Sequence, residues 1–276
     1  MRSDPSFIEL RARERARVLL DRGSYRELLG PHEGIMSPWL APQGVVPQSD
    51  DGMVVARGTI NGQSAVVVAI EGAFQGGSMG EVSGAKMAAA LELAAEDNRN
   101  GIPTLAVLCL ETGGVRLQEA NLGLAAIADI HAAIVDLRRY IPVIGIIAGT
   151  VGCFGGMSIA AALCSYLIVT REARLGLNGP QVIEQEAGIE EYDSRDRPFI
   201  WSITGGEIRY VTGFVDELVD DGVGAIKAAM NECIAKGIPS HRSDNYAYFL
   251  PLLASFDTRQ QADTVKIKQL FLREAE

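Results

Sequence analysis

The chain has 276 residues, 47% of them hydrophobic and 22% charged, with 30 glycines and a formal net charge of −10. That profile fits an α/β protein with a large aliphatic core and argues against a nucleic-acid binder, because neutralising phosphates takes clustered Lys and Arg. It leaves open a nucleotide-tailed ligand held by a few local arginines. Cys109, Cys153, Cys164 and Cys233 form no C-x-x-C pair, and His32, His131 and His241 show no zinc spacing. Reduced thiols, no metal and a cytoplasmic location are therefore expected.

In chain order, Met1-Arg2-Ser3-Asp4 runs into the charged stretch Glu9 to Arg17, so no signal peptide is expected. Residues 6–30 read as an amphipathic helix, with Ile8, Ala12, Ala16, Leu19 and Leu20 along one side. Pro31, Pro38, Pro42 and Pro47 make 31–52 an ordered arm. Met53–Ile60 and Gln63–Ile70, joined by Asn61-Gly62, predict a hairpin with a type I′ turn. Glu81 to Asn98 predicts a helix, Thr104 to Leu110 a buried strand, Arg116 to Arg138 a long helix, and Val143 to Ile147 another strand. Phe154 to Leu163 predicts a short helix and Tyr166 to Val169 a strand. Asn178-Gly179-Pro180 opens a helix ending near Gly188. Beyond residue 190 come a charged loop, Asp193 to Arg197, and mixed helices that include one at Asp257–Glu276. The uncharged run from Tyr140 to Thr170 is long enough to span a bilayer, but its glycines and Pro142 favour a strand, a loop and a buried helix.

The rhythm of strand, glycine loop and helix implies βαβ crossovers with the loops gathered at the carboxyl ends of the strands. Those loops carry the chemistry: Gly76-Gly77-Ser78-Met79-Gly80, Thr112-Gly113-Gly114-Val115-Arg116 and Gly152-Cys153-Phe154-Gly155-Gly156. Glycine lets a ligand approach bare amides closely, and a helix start favours negative charge. Gly113-Gly114 and Gly155-Gly156 can each be a tight packing turn. Together they can share one oxyanion.

Other residues keep two readings. Gly76-Gly77-Ser78-Met79-Gly80 matches the nucleophile-elbow pattern, with Asp216 and His241 following in hydrolase order, yet it also reads as a ligand-lining loop. Arg116, beside Gln118 and Glu119 at an expected helix start, serves either a ligand anion or an ion pair with Glu119 or Glu81. His131 reads as a partly buried structural histidine. Met79, Met87 and Met157 read as core or pocket fillers, and Phe154 as part of an apolar acyl rim.

Gly76 to Gly80 with Gly84-Ala85-Lys86, Thr112 to Glu119, and Gly179-Pro180-Gln181-Val182-Ile183-Glu184-Gln185 together resemble the carboxyltransferase family of the crotonase-like superfamily. The resemblance spans residues 52–220. It is similar to the β subunits of acetyl-CoA carboxylase carboxyltransferases but lacks their four-cysteine zinc ribbon. The helix at 6–30 and the arm with Ser37-Pro38-Trp39-Leu40-Ala41-Pro42-Gln43-Gly44 stand there instead. With Gly188 to Trp201 included, it looks more like the β subunits of biotin-independent malonate decarboxylases.

The resemblance implies a crotonase/ClpP-like ββα superhelix in a single α/β domain: an arm (1–51), a core (52–220) and a helical C-terminal segment (221–276). It implies decarboxylation of a malonyl thioester on an acyl carrier subunit, whose phosphoribosyl-dephospho-CoA arm (or CoA) holds the acyl group, with no biotin and no cofactor bound covalently to this chain. The implied partners are a homologous γ subunit that completes the active site, the acyl carrier subunit and an acyl carrier transferase; no nucleic acid or membrane is implied. By the same analogy Gly113, Gly114, Gly155 and Gly156 are the catalytic donors. Gly76, Gly77, Ser78, Met79, Arg116, Gln118, Phe154, Asn178 and Gly179 would bind the substrate. The rivals are a biotin-dependent carboxyltransferase half, a Ser78 hydrolase, and a scaffold that only holds the carrier.

Overall fold

The computed structural model describes residues 4–255, 257 and 264–272. At its centre is a seven-stranded sheet in which neighbours in sequence are also neighbours in space. β1 (Arg26–Leu28) pairs antiparallel with β2 (Met53–Ile60), and β2 with β3 (Gln63–Ile70). The hairpin forms as expected: Asn61 and Gly62 have φ of 50° and 80°, and Ile60 pairs with Gln63, the turn whose twist suits its strands.

From β3 onward the pairing is parallel, through β4 (Leu105–Cys109), β5 (Val143–Ile147), β6 (Tyr166–Thr170) and β7 (Glu217–Val219). Each parallel step needs a crossover. α2 (Glu81–Arg99), α3 (Asn121–Leu137) and α4 (Gly156–Leu163) supply the first three; α5 (Pro180–Ala187), α6 (Arg197–Thr204) and α7 (Gly206–Val211) lie between β6 and β7. α2 packs on α3 and α3 on α4, while α1 (Ala12–Leu19) and α8 (Val223–Lys236) form a second group touching each other and the sheet. Every residue of β4, β5 and β6 is buried, as continuous apolar runs in a parallel sheet should be. α9 (Tyr246–Ser255) stacks Phe249 on Phe214 at 4.9 Å, and α10 (Thr264–Leu272) packs on α7.

Two expectations are corrected. The helix expected over 6–30 is confined to Ala12–Leu19: Asp221 takes the Phe7 and Ile8 amides, Gly23 turns the chain at φ 84°, and 26–28 become edge strand β1. The helix expected from Arg116 begins at Asn121. A 3-10 turn at Leu117–Glu119 and Ala120 at φ 46° precede it and break the helical run, while the Arg116 amide donates to Met79 O at 2.8 Å. Strand β7 lay unread within the mixed helical stretch. The expected helix at Asp257–Glu276 is α10 where it is described; 258–263 and 273–276 lie outside the described residues. The uncharged run at 140–170 is β5, a loop, α4 and β6, and among the described residues no helix is long and apolar enough to cross a membrane.

Candidate active site

At the carboxyl ends of β3 to β6 the glycine loops are laced together. Parallel bridges join Met79 to Val115, Thr112 to Cys153, and Cys153 to Leu175. Gly113 N donates to Gly76 O (2.9 Å), Met79 N to Gly114 O (2.7 Å), Phe154 N to Thr112 O (3.0 Å) and Gly155 N to Leu177 O (2.8 Å). Segments 76–79, 113–116, 153–156 and 175–179 thus form one surface, with Asn178 exposed and Gly179 capping α5.

This lacing decides which amides are free. Gly113 and Gly155 give theirs to Gly76 and Leu177, and Gly114 gives its own to Thr112 Oγ1 at 3.0 Å. These three expected donors are therefore consumed inside the protein. The amides of Val115 and Gly156 find no acceptor among the described residues. The two loops meet beside Val115: a Cβ built on Gly155 would lie 3.3 Å from Gly114 Cα and 3.9 Å from Val115 N. Gly155, at φ 62° and ψ −147°, adopts a backbone conformation that L side chains avoid, and Gly114 stands at φ 108°.

Arg116 does not face a ligand. Its side chain is 1% exposed, with Nη1 2.7 Å from Asp51 Oδ1 and 2.9 Å from Glu119 Oε1, and Nη2 donating to Ser78 O at 3.0 Å. The ion-pair reading with Glu119 is the one realised. Burial alone would raise the Glu119 carboxyl. Hydrogen bonds from the Glu81 amide, the Ser37 hydroxyl and Arg116 nonetheless hold it below its ordinary value. The arm is fastened to the same place, through Ser37 on Glu119 (2.7 Å), Trp39 Nε1 on Glu81 (2.7 Å) and Gln43 on the Gln118 carbonyl (2.8 Å). Met79 is fully buried and belongs to the core, and Phe154 is 4% exposed beneath Arg174. Gly77 is an approach point for the backbone rather than for a ligand: a Cβ there would sit 1.9 Å from Glu111 O.

The hydrolase triad does not assemble. Asp216 accepts from the Leu167 amide at 2.6 Å and pairs with Arg242, while His241 Nε2 is buried without a partner. The cysteines are all buried, and among the described residues no cluster of His, Cys, Asp or Glu could hold a metal.

Thr112 and Val115 lie in a loop the sequence singles out but have no role of their own there, and Ser158 escaped the sequence reading. Val115 follows the second glycine pair, so its amide is displaced one residue from the glycines that attracted attention. Ser158, three residues after Gly155, is the spacing of a side chain that returns to a helix cap. Around the loops, Leu117 is 81% exposed and Leu177 61%, with Leu122, Leu124 and Ile159 also exposed.

The carboxyl transferase domain model matches residues 9–268. A malonyl-S-ACP:biotin-protein carboxyltransferase, MADC, from Malonomonas rubra is 40% identical over 243 residues, covering 84% of this chain and 76% of that protein. The crystal structure of a Pseudomonas malonate decarboxylase hetero-tetramer in complex with malonate superposes on 97% of this chain and 98% of the matched one, with a TM-score of 0.95 and 65% identity. The Pseudomonas malonate decarboxylase MdcD-MdcE hetero-dimer matches at 60% identity and a TM-score of 0.75, over 89% of this chain and 96% of that one.

Proposed function

Because the chain belongs to the carboxyl transferase family, we infer that it is the β subunit of a malonate decarboxylase and converts a malonyl thioester into the acetyl thioester and CO2. The reading rests on one observation above all: two bare amides, Val115 and Gly156, on loops in van der Waals contact at Gly114 and Gly155. When the bond to the carboxylate breaks, its electron pair moves into the carbon chain and the charge appears on the thioester oxygen. No base is needed to start that step. Donors fixed around the oxygen are, and a single one is typically worth about 3–4 kcal/mol. The enolate carbon then takes up a proton.

The thioester belongs to an acyl carrier subunit with a phosphoribosyl-dephospho-CoA arm, loaded by an acyl carrier transferase in the cytoplasm. Leu117, Leu122, Leu124, Ile159 and Leu177, exposed beside the loops, form the face on which a crotonase-like γ subunit closes the site and excludes water. Ser78, Gln118, Asn178 and Gly179 border the entrance.

A biotin-dependent carboxyltransferase half is the second reading, favoured by the biotin-protein acceptor in the name of the Malonomonas relative. Malonyl-thioester consumption by the purified βγ pair, with avidin in excess, tests the choice. Undiminished release of CO2 is expected. Loss of turnover on adding avidin would replace decarboxylation by carboxyl transfer.

A further inference from the structure

We propose that Ser158 is a positioning residue for decarboxylation, holding and polarising the peptide that presents the Gly156 amide. The proposal builds on the reading above, in which that amide meets the thioester oxygen. The peptide between Gly155 and Gly156 is oriented by a glycine at φ 62° and ψ −147°. Gly155 N is held by Leu177 O at 2.8 Å and Gly156 O meets His131 Nε2 at 2.8 Å, so the neighbouring peptides are fixed from outside the helix. The carbonyl of the peptide between them is gripped twice by one residue: Ser158 Oγ donates to Gly155 O at 2.7 Å and Ser158 N at 3.0 Å.

A trans peptide is planar, so fixing the oxygen fixes the direction of the N–H on the opposite side. A hydrogen bond on the carbonyl also draws electron density toward oxygen and makes the amide proton a stronger donor, by about 10–30% per bond in condensed-phase estimates. Ser158 is 9% exposed, so water does not compete well for its hydroxyl. Serine offers no propensity advantage in the first turn of an otherwise apolar helix, and the bond to Gly155 gives it a purpose. The other bare amide is prepared the same way by backbone, since the Gly114–Val115 peptide receives Met79 N on its carbonyl at 2.7 Å. Ser158 is the side chain through which this preparation can be altered.

The test uses the assembled complex with Ser158→Ala and Ser158→Cys. Cysteine keeps the size but donates weakly. Steady-state decarboxylation of the malonyl thioester, on CoA and on the acyl carrier subunit, is read alongside the infrared carbonyl stretch of bound acetyl-CoA labelled with 13C at the carbonyl. In the unaltered complex the stretch shifts to lower frequency on binding. The shift shrinks in the order Ser, Cys, Ala, and kcat falls about tenfold in Ser158→Ala while KM changes less than twofold. A purely structural serine would alter melting without ordering the carbonyl frequencies. If the unaltered complex shows the shift and both variants keep it along with kcat, the role of Ser158 is overturned while the oxyanion reading stands. If the unaltered complex binds the thioester with no shift, or does not decarboxylate the malonyl thioester of its acyl carrier subunit, the oxyanion reading fails and takes this proposal with it.

Discussion

Arg116 Nη1 stands 2.7 Å from Asp51 Oδ1, with the arginine side chain 1% exposed and the aspartate side chain sealed from solvent. Glu119 completes the group at 2.9 Å, and the Arg116 guanidinium lies 5.3 Å from the Phe74 ring centroid. This buried set ties the end of the arm to the loop that carries Val115. Removing one member of a buried pair leaves an uncompensated charge, which typically costs about 3–5 kcal/mol. Arg116→Met therefore lowers the free energy of unfolding, read from urea titration, by that order and shifts the midpoint down accordingly. Arg116→Lys does not restore it, since one ammonium cannot span Asp51, Glu119 and the Ser78 carbonyl together. A near-native midpoint in either variant would show the group to be dispensable.

Acid should loosen the same region. Glu119 is held below its ordinary value despite burial, and so is Asp50, through Arg13 and the Gly52 amide. A carboxylate whose folded pKa is depressed contributes stability that is fully present above its unfolded value, about 4. That contribution fades as the pH falls through the lower folded value, because the unfolded chain takes up protons first. Unfolding midpoints measured from pH 7 downward should keep the full contribution of these groups, unchanged, until about pH 5 and decline below it. Glu119→Gln should flatten the decline, and an unchanged acid slope in that variant would count against the assignment.

Much of this was legible because the hairpin, the apolar strands and the glycine loops are local in sequence. Asn61-Gly62 can make little but a tight turn, and Leu105 to Cys109 can only be buried. The arm was harder. Ser37 matters through Glu119 and Asp51 through Arg116, pairs separated by 82 and 65 residues, and periodicity carries no trace of such partners. The late start of the first helix has the same cause, since the Asp221 carboxylate that binds the Phe7 and Ile8 amides comes from just ahead of α8. At the site, glycine marks where backbones approach each other as well as where ligands do. Gly113 and Gly155 donate to neighbouring strands of chain, and the free amides are found only once each hydrogen bond has been followed to its end.

The contact of Gly114 with Gly155 makes both positions sensitive. A Cβ on Gly114 would stand 3.0 Å from Phe154 O and one on Gly155 3.3 Å from Gly114 Cα, in addition to the strain of a positive φ. Gly114→Val and Gly155→Pro should lower kcat by about 10²–10³, the usual effect of losing an oxyanion donor. Co-purification with the γ companion should persist, because the exposed face at Leu117 and Leu122 is untouched. Turnover unaffected by either substitution would point to a scaffold.

Cys153 lies inside a glycine loop and could be mistaken for a nucleophile. Burial raises its thiol well above the ordinary value, and Sγ donates to Met157 O at 3.2 Å. Burial likewise pushes Cys109, Cys164 and Cys233 up to about 12. Because the thiolate is the reactive form, iodoacetamide at pH 8 should label none of the four cysteines in the folded complex and all of them in urea. Inactivation should keep pace with unfolding as urea rises. Rapid stoichiometric alkylation of Cys153 in the native enzyme, with loss of turnover, would demand a covalent step and a different chemistry from the one argued for these loops.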